Sequence, residues 1–291
     1  MFGSMKKLTL GAALKQLSRN GITVTPAPAE TPIETGKSKF GGKPDLPADF
    51  VWPYYEGVDC DDIRANRPLA FLAQFSCAEL KPFDVNGLLP ETGMLSFFYE
   101  VESMPWGFDP SDRGAARVFW FENEILVPTD FPDDLKEEYH LGEMALDFSA
   151  EPMLPSYEEF EHLARGKTGV DWDDYEEICE ERELHVPNEE NQHTVLGYAM
   201  LVQGECLTEC EMVERRGLYT GNGDAMRALS EAERAVINAD SRKWILLFQM
   251  GSLEEEGCEL SFCDGGIYFY IRRDDLARRD FSHVWLVLQT G

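Results

Sequence analysis

The sequence predicts an α+β protein, mostly β, made of two related β units that arose by internal duplication. Three observations support this class: short apolar strands dominate residues 38–128 and 241–291, one strand pattern occurs in both ranges, and helix signals are few. The shared pattern is two apolar residues, any residue, Gln and an apolar residue, followed by a loop and Gly-x-apolar-x-Phe-aromatic. Two copies of one β unit around a continuous core are the economical explanation.

The repeated pattern also predicts which side chains face the core. "FLAQF" precedes "GMLSFF" in the first unit, and "LLFQM" precedes "GGIYFY" in the second. Because side chains alternate along a strand, Leu95 and Phe97 share one sheet face, as do Ile267 and Phe269. A glycine precedes each of these strands and permits the turn into it: Gly93 and Gly265.

Local signals predict the first elements in order. Apolar residues at helical spacing predict an N-terminal helix that ends at Gly21: Leu10, Ala13, Leu14 and Leu17. Residues 24–53 are rich in Pro, Thr and Gly, whose missing amide donors and restricted φ angles predict an extended segment without regular strand pairing. Short strands then follow to about residue 128.

Between about residues 130 and 192 the chain is acidic and is predicted to be irregular, with one helix. Ser156 caps that helix while Glu159 reaches back, and Ser230 with Glu233 starts a second helix that runs to about Asp240. Strands resume at "KWILLFQM", "GGIYFYI" and "VWLVLQT".

These elements define the predicted organisation of residues 1–291 as one domain, although the length of 291 residues also allows two fused halves. Residues 1–37 form the N-terminal helix and linker, and residues 38–128 form the first β unit. Residues 129–240 form an acidic connecting region with helices and a strand near residues 196–203. Residues 241–291 form the second β unit.

A glutamine interrupts four apolar stretches, at Gln74, Gln203, Gln249 and Gln289. A structural explanation is that the amide satisfies the backbone at a bulge or sheet edge, since an unpaired buried amide costs about 1–3 kcal/mol. A functional explanation is that Gln74 and Gln249 lie on the concave face of a shared cleft and present similar amides to one ligand or peptide. The sequence leaves both open.

The charge balance narrows the kinds of partner. The net charge of −28, from 54 acidic and 26 basic side chains, repels nucleic-acid phosphates, so direct nucleic-acid binding is not expected. An acidic surface favours solubility and can also steer basic partners toward the protein. Seven cysteines without a C-x-x-C pair predict reduced thiols and a cytosolic location. No apolar run approaches the roughly 18 residues of a membrane span.

No motif predicts a reaction. Gly41 and Gly42 lack the Lys-Ser or Lys-Thr of a phosphate loop, and a tight turn that places Pro44, Pro47 and Trp52 against the sheet explains them better. G-x-S-x-G, a matched set of zinc ligands and a calcium loop do not occur. We therefore expect no metal and no cofactor, and the sequence leaves enzymatic activity open.

One acidic pair receives a structural interpretation. Asp274 and Asp275 are predicted in the first turn of a short helix, with Arg278 and Arg279 at its end, an order that matches the helix dipole. This pattern predicts a structural clamp rather than a substrate site.

Several stretches together resemble the YwqG-like family of unknown function: "SKFGGKPDLP" with "WP", "PLAFLAQF", "LLPETGMLSFFY", "LGY", "LLFQM" and "GGIYFYIRRDDLARRDFSHVWLVLQ". The resemblance extends from Lys39 to Gln289 and implies a mostly β, roll-like fold with internal duplication. The family is distantly similar to programmed cell death protein two and its ribosome-assembly relatives, which act as dedicated chaperones of a ribosomal protein. Bacterial relatives have been proposed as immunity-type proteins in toxin systems.

The resemblance assigns two groups of residues. Candidate binding residues are Gly41, Gly42, Pro44, Pro47, Trp52, Pro53, Gln74 and Gln249. Residues of the structural motif are Gly93, Gly265, Asp275, Leu276 and Phe281. The chain departs from many relatives at "SFCDGG", where Trp-Gly-Asp is common, and it lacks the zinc finger of the eukaryotic relatives. No catalytic residue is established for the family.

The predicted function is that of a noncatalytic protein-binding module, chaperone-like or immunity-like, that engages a basic protein through an acidic surface or cleft. The alternative is a hydrolase or small-ligand-binding protein that uses the cleft between the two β units, with aromatic walls such as Trp52 and Trp106. A third alternative is a structural subunit of a larger assembly. The identity of the partner and the oligomeric state are not encoded in any recognisable signal.

Overall fold

A ten-stranded sheet organises the structure, a computed structural model that describes residues 11–58, 62–164 and 169–291. The sheet is nearly closed, with the strand order β14-β13-β12-β11-β1-β10-β2-β6-β7-β8, and all its neighbouring strands are antiparallel. Two small two-stranded sheets, β3-β9 and β4-β5, complete the strands. The protein is therefore mostly β, as the sequence predicts.

The strands of the first part of the chain are β1 Arg19–Pro28, β2 Lys39–Phe40, β3 Asp45–Pro47, β4 Tyr54–Val58, β5 Arg64–Pro68, β6 Ala70–Ser76, β7 Met94–Tyr99, β8 Ala116–Phe121 and β9 Leu126–Pro128. The remaining strands are β10 Met144–Met153, β11 Thr194–Leu196, β12 Trp244–Gly251, β13 Gly266–Arg272 and β14 Trp285–Gln289. The predicted apolar strands at both ends of the chain are all present.

The helices lie between the strands and around the sheet. They are α1 over residues 11–17, α2 Cys77–Leu80, α3 Tyr157–Leu163, α4 Trp172–Glu181, α5 Leu207–Cys210, α6 Asp224–Ala228, α7 Glu231–Ser241 and α8 Arg273–Ala277. A π-helical turn, Glu211–Arg215, follows α5. In the described part of the chain no helix has both the length and the apolar character needed to cross a membrane.

The two predicted β units face each other across one core. Leu95, Phe97, Ile267 and Phe269 are all buried and belong to the same apolar cluster. The rings of Phe97 and Phe269 have centroids 5.2 Å apart. The predicted alternation is thus confirmed, and the faces that it places inward pack on one another. Their common origin by duplication stays a prediction.

The predicted lack of regular strand pairing over residues 24–53 is wrong at three places. Residues 24–28 form the end of β1, which pairs with β10 over its whole length. β2 pairs with β10 and β6 in the large sheet, and β3 pairs with β9. The Val24 N–H points away from β10 and donates to His193 O. Because N–H directions alternate along a strand, Pro26 and Pro28 face the same side as Val24. Their missing N–H groups therefore point to the side where β11 has ended, and no hydrogen bond to β10 is lost.

The acidic connecting region is more regular than predicted. It contains β10 and α4 in addition to the predicted helix. Ser156 Oγ accepts the Glu159 N–H, and Ser230 and Glu233 form a reciprocal capping box, so both predicted helix starts are confirmed. The predicted return bond from Glu159 is wrong, because its carboxylate is buried and faces Arg19 instead. The sequence did not predict β10, because its exposed acidic residues obscure the alternation of a strand. Its pairing partners, β1 and β2, are also far away in sequence.

Two predicted boundaries are wrong. The N-terminal helix ends at residue 17, and Gly21, its predicted end, lies inside β1; Leu10 lies outside the described residues. The strand predicted near residues 196–203 is β11, which ends at Leu196 because Leu196 and Gly197 have φ angles of +61° and +68°. Such left-handed residues turn the chain out of the sheet.

Candidate functional site

Gly41 and Gly42 form the predicted tight turn at the start of the Gly-Pro arm, residues 38–53. Their φ angles are +57° and +65°, and their N–H groups donate to Leu72 O and Leu141 O. A Cβ atom on Gly41 would lie 2.1 Å from Gly142 O. Backbone conformation and close packing therefore both require glycine at Gly41.

The three prolines of the arm hold it to neighbouring segments through the backbone. Pro47 lies in β3, and the carbonyls of Pro44 and Pro53 accept hydrogen bonds from the N–H groups of Thr129 and Leu69. The structure gives these prolines a role in attaching the arm, and their assignment as binding residues stays a prediction.

Trp52 anchors the end of the arm on the first β unit. Its Nε1 donates to Leu69 O at 2.9 Å, and its ring packs edge-on against Phe98 with centroids 5.4 Å apart. The predicted placement of Trp52 against the sheet is confirmed. Its indole donor is therefore occupied by the protein's own backbone.

Gln74 is fully buried and ties the arm to β6. Its Nε2 donates to Lys37 O at 2.8 Å and to Asp45 Oδ2 at 2.6 Å, while its Oε1 accepts the Asp45 N–H at 2.9 Å. Both amide donors are thus occupied within the chain. A register shift between Phe71 and Ala73 places a bulge just before this residue.

Gln249 occupies the corresponding place in β12 and is also fully buried. A register shift between Leu246 and Phe248 again places a bulge just before the glutamine. Its Oε1 accepts the Met200 N–H at 2.9 Å, but its buried Nε2 has no hydrogen-bond partner among the described residues. The two glutamines therefore share a position but hold different segments.

The other two glutamines fasten the segment that follows β11. Gln289 Oε1 accepts the N–H groups of Val202 and Gln203, and its Nε2 donates to Gly204 O. Gln203 lies outside any strand and donates its Nε2 to Thr290 O. These amides satisfy backbone groups, as the structural explanation requires.

The residues of the structural motif are packing residues. A Cβ atom would lie 2.4 Å from Phe121 O at Gly93 and 1.8 Å from Gln289 O at Gly265. The apolar members of the motif are buried in the main core: Leu276 and Phe281.

Asp275 forms the predicted clamp. It lies in the first turn of α8 and is 2% exposed, and its two carboxylate oxygens bind Arg215 and Arg278. Arg279 follows the helix with a φ of +60°. The carboxylate thus joins α8 to the π-helical turn.

The largest cavity described, about 660 Å³, is an acidic groove. We define it by five exposed carboxylates from three segments: Glu189, Glu190, Glu254, Glu255 and Asp264. Among the described residues, no Lys or Arg lines it and none forms an ion pair with these five carboxylates. The sequence signals were the runs "NEEN" and "LEEEG", but only the fold brings them together.

The wall of the acidic groove also contains apolar and buried groups. Val24, Met144, Met200 and Leu253 line it, together with His193, which is 3% exposed. Burial lowers the pKa of His193 to about 4, and the neutral ring accepts the Gly251 N–H at Nδ1. The groove therefore combines a negative rim with neutral walls.

A second cavity, the junction pocket of about 290 Å³, lies between β8 and β14, the two edges of the sheet. Its charged lining residues are Asp112, Arg113, Arg117 and Arg279. This is the cleft between the two predicted units, but Gln74, Gln249, Trp52 and Trp106 do not line it. The described residues of its wall offer a single carboxylate and thus no carboxylate pair of the kind that acid-base hydrolysis uses.

One Ser-His-acid arrangement occurs that sequence reasoning missed. Ser241 Oγ lies 2.8 Å from His162 Nε2, and His162 Nδ1 lies 3.7 Å from Glu205 Oε1. The exposed fraction of Ser241 is 0%, and its Oγ also donates to Asn238 O. Because no substrate can reach this hydroxyl, the arrangement fits packing rather than nucleophilic catalysis.

The cysteines described are free, and five of the six are buried. Burial raises the pKa of Cys77 to about 12 and that of Cys179 to about 11, so both thiols stay protonated at neutral pH. Within residues 11–58, 62–164 and 169–291, no group of three or more His, Cys, Asp or Glu side chains is placed to hold a metal ion.

The fold defines the class: a mostly β protein with one large, nearly closed sheet and a few helices. The chain belongs to the family described as a domain of unknown function, DUF1963, whose model matches residues 38–290. The match spans both predicted β units. Among curated proteins, no match to the chain was found.

Proposed function

We propose that the protein is a noncatalytic binding module that engages a basic protein partner through the acidic groove. The observation that carries this proposal is the convergence of five carboxylates, from three separate segments, on one groove where the described residues supply neither an ion pair nor a basic side chain. In folded proteins, acidic side chains commonly pair with nearby Lys or Arg. A rim left uncompensated can exchange its water for the cationic side chains of a partner.

The groove fits Lys and Arg side chains in two respects. Its rim matches their charge, and its apolar wall residues, such as Met200 and Leu253, suit their aliphatic stems. Its volume of about 660 Å³ is within the range of ordinary ligand sites and can hold more than one side chain.

A second observation points to the same place. Gln249 Oε1 accepts the backbone N–H of Met200, which is a residue of the groove wall. The buried Nε2 of Gln249 has no hydrogen-bond partner among the described residues. Because Gln249 is fully buried and does not itself line the groove, its amide acts on the groove only through Met200, whose backbone it holds in the wall. Of the two predicted glutamines, Gln249 is therefore the one that positions a residue of the proposed binding surface.

The proposal includes the finer family placement. We assign the chain to the YwqG-like group, acting in the cytosol as a chaperone-like or immunity-like protein for a basic client. Two related β units, each with a bulge before its glutamine, are part of this assignment. The matched positions of the bulges support a common origin, and the DUF1963 match over residues 38–290 supports the extent of the domain.

The test compares two variants with the same change in net charge. The groove variant replaces Glu189, Glu190, Glu254 and Glu255 by Gln. The control variant replaces four exposed glutamates outside the groove by Gln: Glu122, Glu124, Glu176 and Glu180.

Affinity capture with the wild-type protein at low and at high ionic strength identifies the basic partner, and its dissociation constant is then measured for all three proteins. We expect the groove variant to bind at least about tenfold more weakly and the control variant to bind like the wild type. Added salt should weaken wild-type binding, because the Debye length shortens to a few ångströms at molar salt. Equal weakening in both variants would show that binding depends on net charge alone, and it would refute binding at the acidic groove.

A further inference from the structure

The turn after β11 forms part of a third cavity, the LGY pocket of about 400 Å³. The tripeptide Leu196, Gly197 and Tyr198 lines it on one side, and Arg19 and Arg273 line it together. Among the residues that the structure describes, no acidic side chain lines this pocket. In a chain with a net charge of −28, a pocket with two positive charges and no negative charge is unexpected.

The two guanidinium groups are close enough to affect the same neighbours. Arg19 lies over the Tyr198 ring, 4.2 Å from its centroid, and the positive charges of both arginines act on Tyr198. Partial burial and then the charge of Arg19 lower the pKa of Arg273. The pocket therefore brings like charges together, which costs free energy unless a negative charge is bound between them.

The described part of the chain neutralises neither arginine well. The described residues offer Arg273 no ion pair, and the nearest carboxylate to Arg19 is Glu159 at 3.8 Å. Burial raises the pKa of Glu159 to about 7, so this carboxyl group is only partly ionised at neutral pH. Helix stability does not account for Arg273 either, because it begins α8, where the helix dipole disfavours a cation.

The backbone of the same pocket is strained. Leu196 has a φ of +61°, a conformation that is uncommon for residues with a branched or bulky side chain. A Cβ atom on Gly197 would lie 2.7 Å from Gly21 Cα, so the turn is held tightly against β1. Strained backbone that the surrounding packing maintains is concentrated at ligand sites.

We propose that the LGY pocket binds a small oxyanion, a phosphate or carboxylate group, between Arg19 and Arg273. Guanidinium groups match these groups through paired N–H donors. The acidic exterior of the protein does not prevent this binding, because charges beyond the Debye length of about 8–10 Å are screened at ordinary ionic strength. The site is independent of the acidic groove and goes beyond the proposed protein-binding function.

The test is a calorimetric titration of the full chain with inorganic phosphate, and separately with acetate, at pH 7. Sodium chloride at equal ionic strength is the control for a general salt effect. We expect saturable binding of phosphate, acetate or both, with the stronger of the two identifying the acid group. Arg273→Gln should weaken that binding at least about tenfold, as expected for the loss of a charge-assisted hydrogen bond.

Arg117→Gln provides the matched control, since Arg117 is an exposed arginine of the junction pocket. We expect it to bind the oxyanion like the wild type, and the groove variant should do so as well. Absence of saturable binding up to about 10 mM of either ion, or equal affinities of Arg273→Gln and the wild type, would overturn the proposal. Loss of binding in Arg117→Gln alone would place the oxyanion in the junction pocket and equally overturn it. Thermal unfolding of each variant checks that it is folded.

Discussion

The two β units differ most in how they use one equivalent residue. Gln74 and Gln249 both lie fully buried after a bulge in a core strand. Gln74 makes three hydrogen bonds and fixes the Gly-Pro arm through Lys37 and Asp45, whereas Gln249 makes one hydrogen bond, to Met200. The two glutamines occupy equivalent strand positions, but they bind different segments of the chain.

This difference separates a closed region from an open one. In the first unit the amide donors of Gln74 are hydrogen-bonded to Lys37 and Asp45, and the indole N–H of Trp52 donates to Leu69 O. In the second unit the amide donor of Gln249 has no partner within the described ranges, and its carbonyl holds Met200 in the wall of the acidic groove. The second unit is instead held by a charged anchor, Asp275.

The largest expected effect is on this charged anchor. Asp275→Ala should lower the free energy of unfolding by about 3–4 kcal/mol, because it removes a buried carboxylate that pairs with two arginines and leaves Arg215 with only its ion pair to Glu214 among the described residues. Chemical denaturation measures the loss, and the melting temperature should fall with it.

Asp274→Ala is the matched control, since Asp274 is the exposed neighbour in the same helical turn. It should change stability by less than about 0.5 kcal/mol. Unchanged stability of Asp275→Ala together with loss of partner binding would move Asp275 from the anchor to the binding surface.

The next effect compares the two glutamines directly. Gln74→Leu should cost about 3 kcal/mol, because the Lys37 carbonyl and the Asp45 N–H lose their hydrogen bonds to Gln74 and Asp45 Oδ2 keeps, within the described part of the chain, only the one from the Gly36 N–H. Gln249→Leu should cost less than about 1 kcal/mol, since the single lost hydrogen bond is partly offset by removal of an unpaired donor. Equal losses measured by denaturant unfolding would show that the two units are held alike.

The smallest effect concerns pH and the groove wall. The pKa of His193 is lowered to about 4, below its ordinary value near 6.5, so the unfolded chain binds the proton first as the pH falls. The stability that the neutral ring contributes is present above pH 6.5 and is lost progressively toward pH 4. Between pH 7 and pH 5 this loss should be about 2 kcal/mol.

His193→Gln provides the comparison for this pH effect. The carboxyl groups of the protein titrate in the same pH range as His193. The informative quantity is therefore the difference between wild type and variant in the pH dependence of the free energy of unfolding. We expect a shallower dependence in the variant, and parallel curves would show that His193 does not resist protonation in the folded protein.

Sequence reasoning succeeded where the signal was local and failed where the partner was remote. The caps at Ser156 and Ser230, and the inward alternation of Phe97 and Phe269, depend on neighbours within a few residues, and all are confirmed. The segment around Pro26 was misassigned because the tolerance of a strand for proline depends on which edge is paired, which local sequence does not state.

The candidate sites were less accessible still. The sequence singled out Gln74 and Gln249 correctly as buried amides at strand interruptions, yet it could not tell which of them would remain unpaired. The acidic groove draws on Glu189, Glu254 and Asp264, which lie in three separate segments. Each run of acids is unremarkable alone in a chain with 54 acidic side chains.

The sequence by itself determined the mostly β class, the strands of both units, the inward faces and the excess of negative charge. Periodicity, capping and composition act over a few residues or over the whole chain, and they are legible without coordinates. Only the tertiary structure decided which segment each glutamine binds, which acidic residues line one groove and which arginines lie beside Tyr198. These outcomes follow from the order of strands in the sheet, where contacts join residues far apart in sequence and depend on every intervening turn.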